Sequence, residues 1–248
     1  TSGRGSGSGE RGGDERDGGW GRDRVRSITA GPGMSPHRRP VLLDMTTSFD
    51  TAQAIQIDEA AQDLLFREAR TANAFTDEPV TDEQLRAIYD LVKWAPTSMN
   101  NQPLRIVVLR SEEAKARLVP LLAEGNQAKT AAAPAVALLA ADVDFHDELP
   151  KLFPHFPGAR DLFTDEDARI GTAELNASLQ IGYFILGIRA AGLAAGPMTG
   201  FDAEAISEEF FPDGRHRVLV AVNIGKPAEN AWMDRLPRLD YDEVVTTL

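Results

Sequence analysis

A short polar stretch, WAPTSMNNQP at residues 94–103, contains the side chains best suited to bind a ligand. Five of them are uncharged and can both donate and accept hydrogen bonds: Thr97, Ser98, Asn100, Asn101 and Gln102. Such groups suit the edge of a planar heteroaromatic ring, whereas a phosphate attracts Arg or Lys. The alternative is an ordinary Asn-rich turn that only caps the preceding helix.

Basic residues that could hold a phosphate occur at other places in the chain. They are Arg70, which Thr71 follows, Lys129, and Arg235 or Arg238 near the C-terminus. A phosphate-binding role would therefore fall to these residues rather than to the uncharged loop.

Two other patterns admit a functional interpretation and a plainer one. Asp142, Asp144 and His146 alternate, so they could present metal ligands on one face, or they could form a solvated strand exit. The glycines of residues 187–200 follow a helix rather than a strand, which argues against a dinucleotide-binding Rossmann unit. They instead predict a helix C-cap at Gly192 and a tight loop that approaches another group closely.

No acid–base or nucleophile constellation stands out. The four histidines are scattered, and no Ser/His/Asp set accompanies a nucleophile elbow. We therefore nominate no catalytic side chain and no metal ligand.

The first helices follow from periodicity and capping signals. From about Ile57, the spacing of Ala60, Leu64, Leu65 and Ala69 predicts a helix. A second helix begins at residue 81, where TDEQ forms a capping box. It should bury four residues before Pro96 stops it: Leu85, Ile88, Leu91 and Val92. The stretch 94–103 is thus a helix-to-strand loop.

The rest of the chain alternates strands and helices. We predict strands at 105–110, 134–142 and 217–225, a helix from Ser111 through Leu122 ending at Gly125, and a short helix at 202–210. Residues 143–167 are rich in Pro and aromatic residues and predict a long loop or lid. Residues 168–192 are apolar around most of the circumference, which predicts a helix in the core or in a subunit interface. This pattern favours an α+β or three-layer α/β fold.

Composition excludes several classes of protein. The chain has 248 residues and a formal net charge of −12, which argues against nucleic acid binding. It has no Cys, so disulfides, Fe–S clusters and thiolate zinc sites are excluded. The longest apolar run, 131–141, is too short to span a bilayer, and no apolar leader begins the chain, so we expect a cytoplasmic protein. Residues 1–50 are rich in Gly and mixed charge, and we expect them to be disordered.

Six motifs occur in order along residues 57–248. They are RTANAF (70–75), APTSMNNQP (95–103), GNQAK (125–129), GPMTGF (196–201), NIGKP (223–227) and RLPRLDYDEVV (235–245). Together they resemble the nitroreductase family of FMN-dependent oxidoreductases, and most closely its malonic semialdehyde reductase branch. The resemblance implies a mixed central sheet flanked by helices, a long central helix, and an intertwined homodimer with FMN at the interface. It also implies that the C-terminal segment reaches across to the partner subunit.

The same resemblance assigns residues to the cofactor site. Arg70, Thr71 and Arg238 match positions that hold the FMN phosphate and ribityl chain. Asn73, where many members have Lys or Arg, and Lys129, three residues after Asn126, match positions at the pyrimidine edge of the flavin. The loop that the partner subunit lays beside FMN corresponds to Pro96, Thr97, Ser98 and Asn100. The segment near flavin N5 corresponds to Pro197 and Met198, with Gly200 nearby.

The resemblance also implies a reaction. NADPH or NADH would give hydride to N5 of FMN, and a small-molecule acceptor would then be reduced over the same flavin face. The acceptor would be malonic semialdehyde, a nitroaromatic or a quinone. Because the cofactor supplies the chemistry, no protein acid or base is required. The alternatives are a dehalogenase-like flavoenzyme of the same family and a flavin-binding protein without turnover.

Overall fold

The computed structural model describes residues 55–248, so the prediction for residues 1–50 lies outside the described residues. The α-helices are α1 (Glu59–Gln62), α2 (Asp82–Val92), α3 (Glu112–Leu118), α4 (Glu124–Ala131), α5 (Leu149–Leu152), α6 (Glu166–Ala190), α7 (Ala203–Phe210) and α8 (Tyr241–Val244). The strands are β1 (Leu104–Leu109), β2 (Ala135–Asp142), β3 (Ala194–Met198) and β4 (His216–Gly225). A π-helical turn at Asp63–Arg67 continues α1.

Local signals set most of the helix starts. The Thr81 side chain accepts from the Gln84 backbone N–H while Gln84 caps Thr81 in return, which confirms the capping box of α2. Ser111 and Asp165 cap α3 and α6 by single side-chain hydrogen bonds, which they accept from the backbone N–H groups of Ala114 and Ala168. At 25 residues, α6 is as long as the helix predicted at 168–192 but lies two residues earlier, and it is followed by Gly192 with a φ of +71°.

The four strands form one sheet in the order β1-β2-β4-β3. Helices α2 and α6 cover one face, where they pack on Ala137, Leu139 and Val222. On the other face, α7 and the α3–α4 region pack on Val136, Leu138 and Ala221. Because β2 is buried on both faces, it reads as a continuous apolar run, as predicted. The α+β, three-layer prediction is confirmed.

The prediction of a mixed sheet was wrong, because every strand pairing within residues 55–248 is antiparallel. The path between β1 and β2 gives the reason. Helices α3 and α4 are short and pack on each other, so they return the chain to the end of the sheet that it left. Leu109 consequently pairs with Val136 and starts an antiparallel ladder.

Three further predictions were wrong in detail. Gly125 does not end a helix but lies in the first turn of α4. Residues 194–198 are not a loop but the edge strand β3. Residues 143–167, predicted to be a long loop or lid, contain short helical turns rather than only loop, and their buried Phe145 and Leu149 pack near Ala173 and Ala177 of α6.

The burial prediction for the second helix was partly wrong, and the apolar spacing of the first helix does not mark its buried face. Ile88 and Val92 are buried, but Leu91 is 59% exposed. In the first helix, Leu64 is 49% exposed, while Gln62 takes the buried position. An apolar stripe in sequence thus does not always face the core of its own chain.

Candidate functional site

The segment 70–75 is bound along the edge strand β3. The Ala72 N–H donates to the Ala195 carbonyl at 3.0 Å, and the Asn73 N–H donates to the Ala231 carbonyl at 2.9 Å. The approach is so close that a Cβ on Gly196 would lie 2.6 Å from the Ala72 carbonyl oxygen. The predicted tight approach is therefore present, although a strand makes it rather than a loop.

Helix α4 brings two more predicted residues to the same place. Lys129 Nζ lies 3.5 Å from Asn73 Oδ1, and Asn126 Nδ2 donates to the Gly200 carbonyl at 2.9 Å. Within residues 55–248, Lys129 pairs with no carboxylate. Its half-buried ammonium group therefore remains available to an electron-rich ligand.

Strand β3 completes this group of residues. Pro197 is half-buried, and Met198 is 8% exposed with its sulfur 3.6 Å from the Thr130 hydroxyl. Because α4 packs against the end of β3, the residues that sequence reasoning assigned to the ring-edge and N5 positions meet in one place. We call this the β3 cluster: Asn73, Asn126, Lys129, Pro197, Met198 and Gly200.

Arg70 lies beside a small cleft of about 180 Å³ near the start of β3. Arg189 of α6 lines the same cleft and donates to the Leu65 carbonyl at 3.2 Å. Burial lowers the pKa of the Arg189 guanidinium. The Arg70 guanidinium lies 3.7 Å from Glu68 across an exposed pair, and Thr71 is exposed. An exposed ion pair of this kind contributes little to stability, so the Arg70 side chain can reorient to bind an anion.

Arg238 is not brought to this cleft by any contact among the described residues. It donates to the carbonyls of Leu236 and Pro237 in the exposed C-terminal segment. Arg235 instead reaches the Arg67 carbonyl.

The loop 96–100 and the adjoining Gln102 are held in a strained conformation. Met99, Asn100 and Gln102 have φ angles of 52°, 53° and 39°. Left-handed backbone at residues other than Gly costs of order 1–3 kcal/mol each and persists only where the surroundings impose it. The Ser98 N–H donates to Asn176 Oδ1 at 2.7 Å, which is part of that support.

Two side chains that sequence reasoning missed anchor this loop from α6. Asn176 accepts from the Ser98 N–H, and Gln180 accepts from the Leu104 N–H at 2.9 Å. The available signal was a pair of amides four residues apart in an otherwise apolar helix, which puts both on one face. Asn100 is fixed by its own amide, which donates to the Leu152 carbonyl at 2.9 Å.

The strained loop and the β3 cluster lie far apart in one chain. The loop leads into β1, and β1 and β3 are opposite edges of the sheet. Leu104, the first residue after the loop, aligns across β2 with Arg217 of β4, whereas Gly196 of β3 pairs with Asn223 of β4, six residues further along. Three strand spacings and six residues correspond to a separation of roughly 24 Å. Pro96, Thr97, Ser98 and Asn100 therefore do not line the same pocket of one chain as Lys129 and Met198.

The donor set of the β3 cluster fits FMN. A flavin presents alternating N–H and C=O groups on one ring edge, which side-chain amides and an ammonium can match. Its phosphate requires a cation, and Arg70 lies on the same segment as Asn73. Gly196 has no side chain, so this stretch of β3 presents only backbone where a ligand would approach.

The other candidate patterns have structural explanations. Asp142 is 2% exposed, and its carboxylate accepts from Arg105 and Arg215 at 2.9 to 3.2 Å, so it is neither solvated nor open to a metal. The hydrogen bond to Asp142 raises the pKa of Arg215. Among residues 55–248, no cluster of three His, Asp or Glu residues could hold a metal, and no helix could cross a membrane. A cavity of about 610 Å³ beside Ser207 and His216 contains none of the predicted site residues.

Comparison with known proteins gives consistent matches. A family model described as the Nitroreductase family matches residues 66–226. A Streptomyces coelicolor protein provisionally named NADH dehydrogenase/NAD(P)H nitroreductase is 63% identical over 196 residues, which cover 79% of this chain and 100% of that protein. A protein of the same name from Leptothrix cholodnii is 49% identical over 193 residues, 77% of this chain and 98% of its own.

Solved structures share the fold. A nitroreductase-like protein from Bacillus subtilis has a TM-score of 0.71 at 26% identity, covering 77% of this chain and 100% of its own. A protein from Exiguobacterium sibiricum, solved in complex with FMN, has a TM-score of 0.69 at 22% identity, covering 78% and 99%.

Proposed function

The chain belongs to the nitroreductase family, and from this premise we propose that it is an FMN-dependent NAD(P)H oxidoreductase. The observation that carries the proposal is the Lys129 ammonium, 3.5 Å from the Asn73 amide beside β3 and unpaired with any carboxylate of residues 55–248. When bound, FMN supplies the hydride chemistry, accepting from NADH or NADPH and donating to an acceptor.

The side chains of this protein bind and orient the cofactor. Lys129 and Asn73 hydrogen-bond to the pyrimidine edge of the flavin, and the positive charge of Lys129 favours the electron-rich reduced ring. Gly196 and Met198 present their backbone to the ring, and the buried apolar side chain of Met198 packs in the core behind it. Arg70 and Thr71 hold the phosphate end, with Arg238 as a further cation.

We also propose a homodimer in which a second copy supplies the loop Pro96–Asn100 to the β3 cluster. The separation of roughly 24 Å within one chain supports this arrangement. Apolar surfaces support it as well, because Leu175, Leu179 and Tyr183 form an exposed stripe on α6. The C-terminal segment 232–248 is largely exposed, as Met233 and Leu236 at 74% illustrate. Surface of this kind is typical of subunit interfaces.

The acceptor is proposed to be a small carbonyl, nitro or quinone compound, with malonic semialdehyde as the first candidate. The support for malonic semialdehyde is the motif resemblance. A dehalogenase-like reaction or flavin binding without turnover are the alternatives. An NAD(P)H-consuming reaction fits the cytoplasmic location that composition predicts.

One sequence of measurements tests the proposal. The purified protein should bind FMN, show flavin absorbance, and lose that absorbance when NADH or NADPH is added without oxygen. Stopped-flow reoxidation by malonic semialdehyde, compared with a nitroaromatic and a quinone, then ranks the acceptors. A protein that takes up no FMN would refute the proposal, and a yellow protein that neither nucleotide reduces would favour the binding protein without turnover.

A further inference from the structure

We propose that Thr130 and Asn223 are positioning residues that lock α4 against β3 and so fix where Lys129 and Met198 meet the cofactor. The inference rests on the proposed FMN function. Neither side chain belongs to the β3 cluster, and both are fully buried.

The two side chains form a buried chain of contacts. Asn223 Nδ2 donates to Thr130 Oγ1 at 3.1 Å, and the Thr130 hydroxyl faces the sulfur of Met198 at 3.6 Å. Through these contacts a residue of β4 is connected to α4 and then to β3.

The same chain of contacts reaches each predicted flavin-binding element. Thr130 directly follows Lys129 on α4. Asn223 pairs in register with Gly196, and its Cβ lies 3.3 Å from where a Gly196 side chain would begin. A shift of α4 would therefore move the Lys129 ammonium away from Asn73, to which it is already at the 3.5 Å limit of a hydrogen bond.

Stability alone does not account for this pair. The surrounding core is apolar, including Val136, Met198 and Ala221. The Oδ1 of Asn223 is buried without a hydrogen-bond partner among residues 55–248. Apolar side chains of the same size would avoid that desolvation cost. Apolar side chains would not fix the position of α4 over β4, because only the hydrogen bond between the Thr130 hydroxyl and the Asn223 amide requires one particular alignment.

The test compares Thr130→Val, Thr130→Ser, Asn223→Leu and the double variant Thr130→Val/Asn223→Leu as full-length holoprotein. Valine keeps the shape of Thr130 but leaves the Asn223 N–H unpaired, whereas serine keeps the hydroxyl. The measurements are FMN affinity by fluorescence quenching, visible circular dichroism of the bound flavin, and the thermal unfolding midpoint.

We expect Thr130→Val to weaken FMN binding about tenfold and to change the visible dichroism. Thr130→Ser should retain the wild-type spectrum. The double variant should recover thermal stability, because no polar group is left unpaired, while its flavin spectrum stays altered. A purely structural role predicts instead that affinity and spectrum recover together with stability, and that result would overturn the inference.

Two further outcomes separate this inference from the proposed function. If wild-type protein binds FMN and Thr130→Val gives the same affinity and spectrum, the positioning role is wrong and the oxidoreductase proposal stands. If the wild-type protein binds no FMN, both fall.

Discussion

Replacing Gly196 with Ala perturbs the junction between β3 and segment 70–75 by a single methyl group. That methyl would lie 2.6 Å from the Ala72 carbonyl oxygen, roughly 0.8 Å inside ordinary van der Waals distance. Both atoms in conflict belong to or adjoin the backbone, so no side chain can swing away. Relief requires the two segments to separate, which stretches the 3.0 Å hydrogen bond from Ala72 N to Ala195 O.

The expected cost follows from these two terms. Overpacking costs about 1–3 kcal/mol, and one lost backbone hydrogen bond adds about 0.5–1.5 kcal/mol, so Gly196→Ala should lower the free energy of unfolding by about 1.5–4.5 kcal/mol. Separation would also displace Asn73 relative to Lys129, so FMN affinity should fall. Urea unfolding followed by circular dichroism measures the first effect, and FMN titration measures the second.

Gly125→Ala is the matched control. It adds the same methyl in the first turn of α4, where no atom lies within 4 Å, so stability should stay equal or rise by up to about 1 kcal/mol. If Gly196→Ala unfolds at the wild-type urea midpoint and binds FMN as wild type does, the proposed tight junction is not a constraint on the site.

Three further predictions concern the cofactor, the dimer and the core. Arg70→Ala and Arg238→Ala should each weaken FMN binding by about 1.5–3 kcal/mol, more than tenfold; an unchanged dissociation constant in both would contradict the phosphate role. Dimers of Arg70→Ala and dimers of Asn100→Ala should each be impaired. If the site is shared, an equal mixture of the two variants after subunit exchange should recover about a quarter of wild-type activity, because each heterodimer has one site with both residues intact. No recovery would indicate a site within one chain. Asp142→Asn should lower the free energy of unfolding by about 1.5–3 kcal/mol, measured by urea unfolding, because two partly exposed arginines lose their charged hydrogen-bond acceptor; an unchanged midpoint would contradict this.

Sequence reasoning succeeded where the signal is local. The Thr81 capping box, the Ser111 cap and the doubly buried run of β2 each depend on residues adjacent in the chain. The length of α6 followed from apolar residues around its circumference. These features require no knowledge of which elements pack together.

Strand β3 shows why other features could not be predicted. Its sequence, AAGPM, has no β-branched residue and contains both Gly and Pro, which disfavour strands. It is a strand because β4 pairs with it from one side, while its other edge accommodates Pro197. Leu64 and Leu91 illustrate the same limit for helices, because periodicity marks an apolar face without telling whether the core or another subunit covers it.

The family resemblance, and not the spacing of the motifs along the chain, assigned the loop 96–100 to a partner subunit. The strand order agrees with that assignment, because it puts APTSMNNQP at the opposite edge of the sheet from RTANAF and GPMTGF. If a second copy carries its loop to the β3 cluster, two-fold symmetry requires the reverse contact as well. A dimer would therefore hold two equivalent sites, each with Lys129 from one chain and Asn100 from the other. Because β1 and β3 are opposite edges of the sheet, the loop of one chain lies far from its own β3 cluster. If the site is shared, cofactor binding and dimerisation should therefore be lost together.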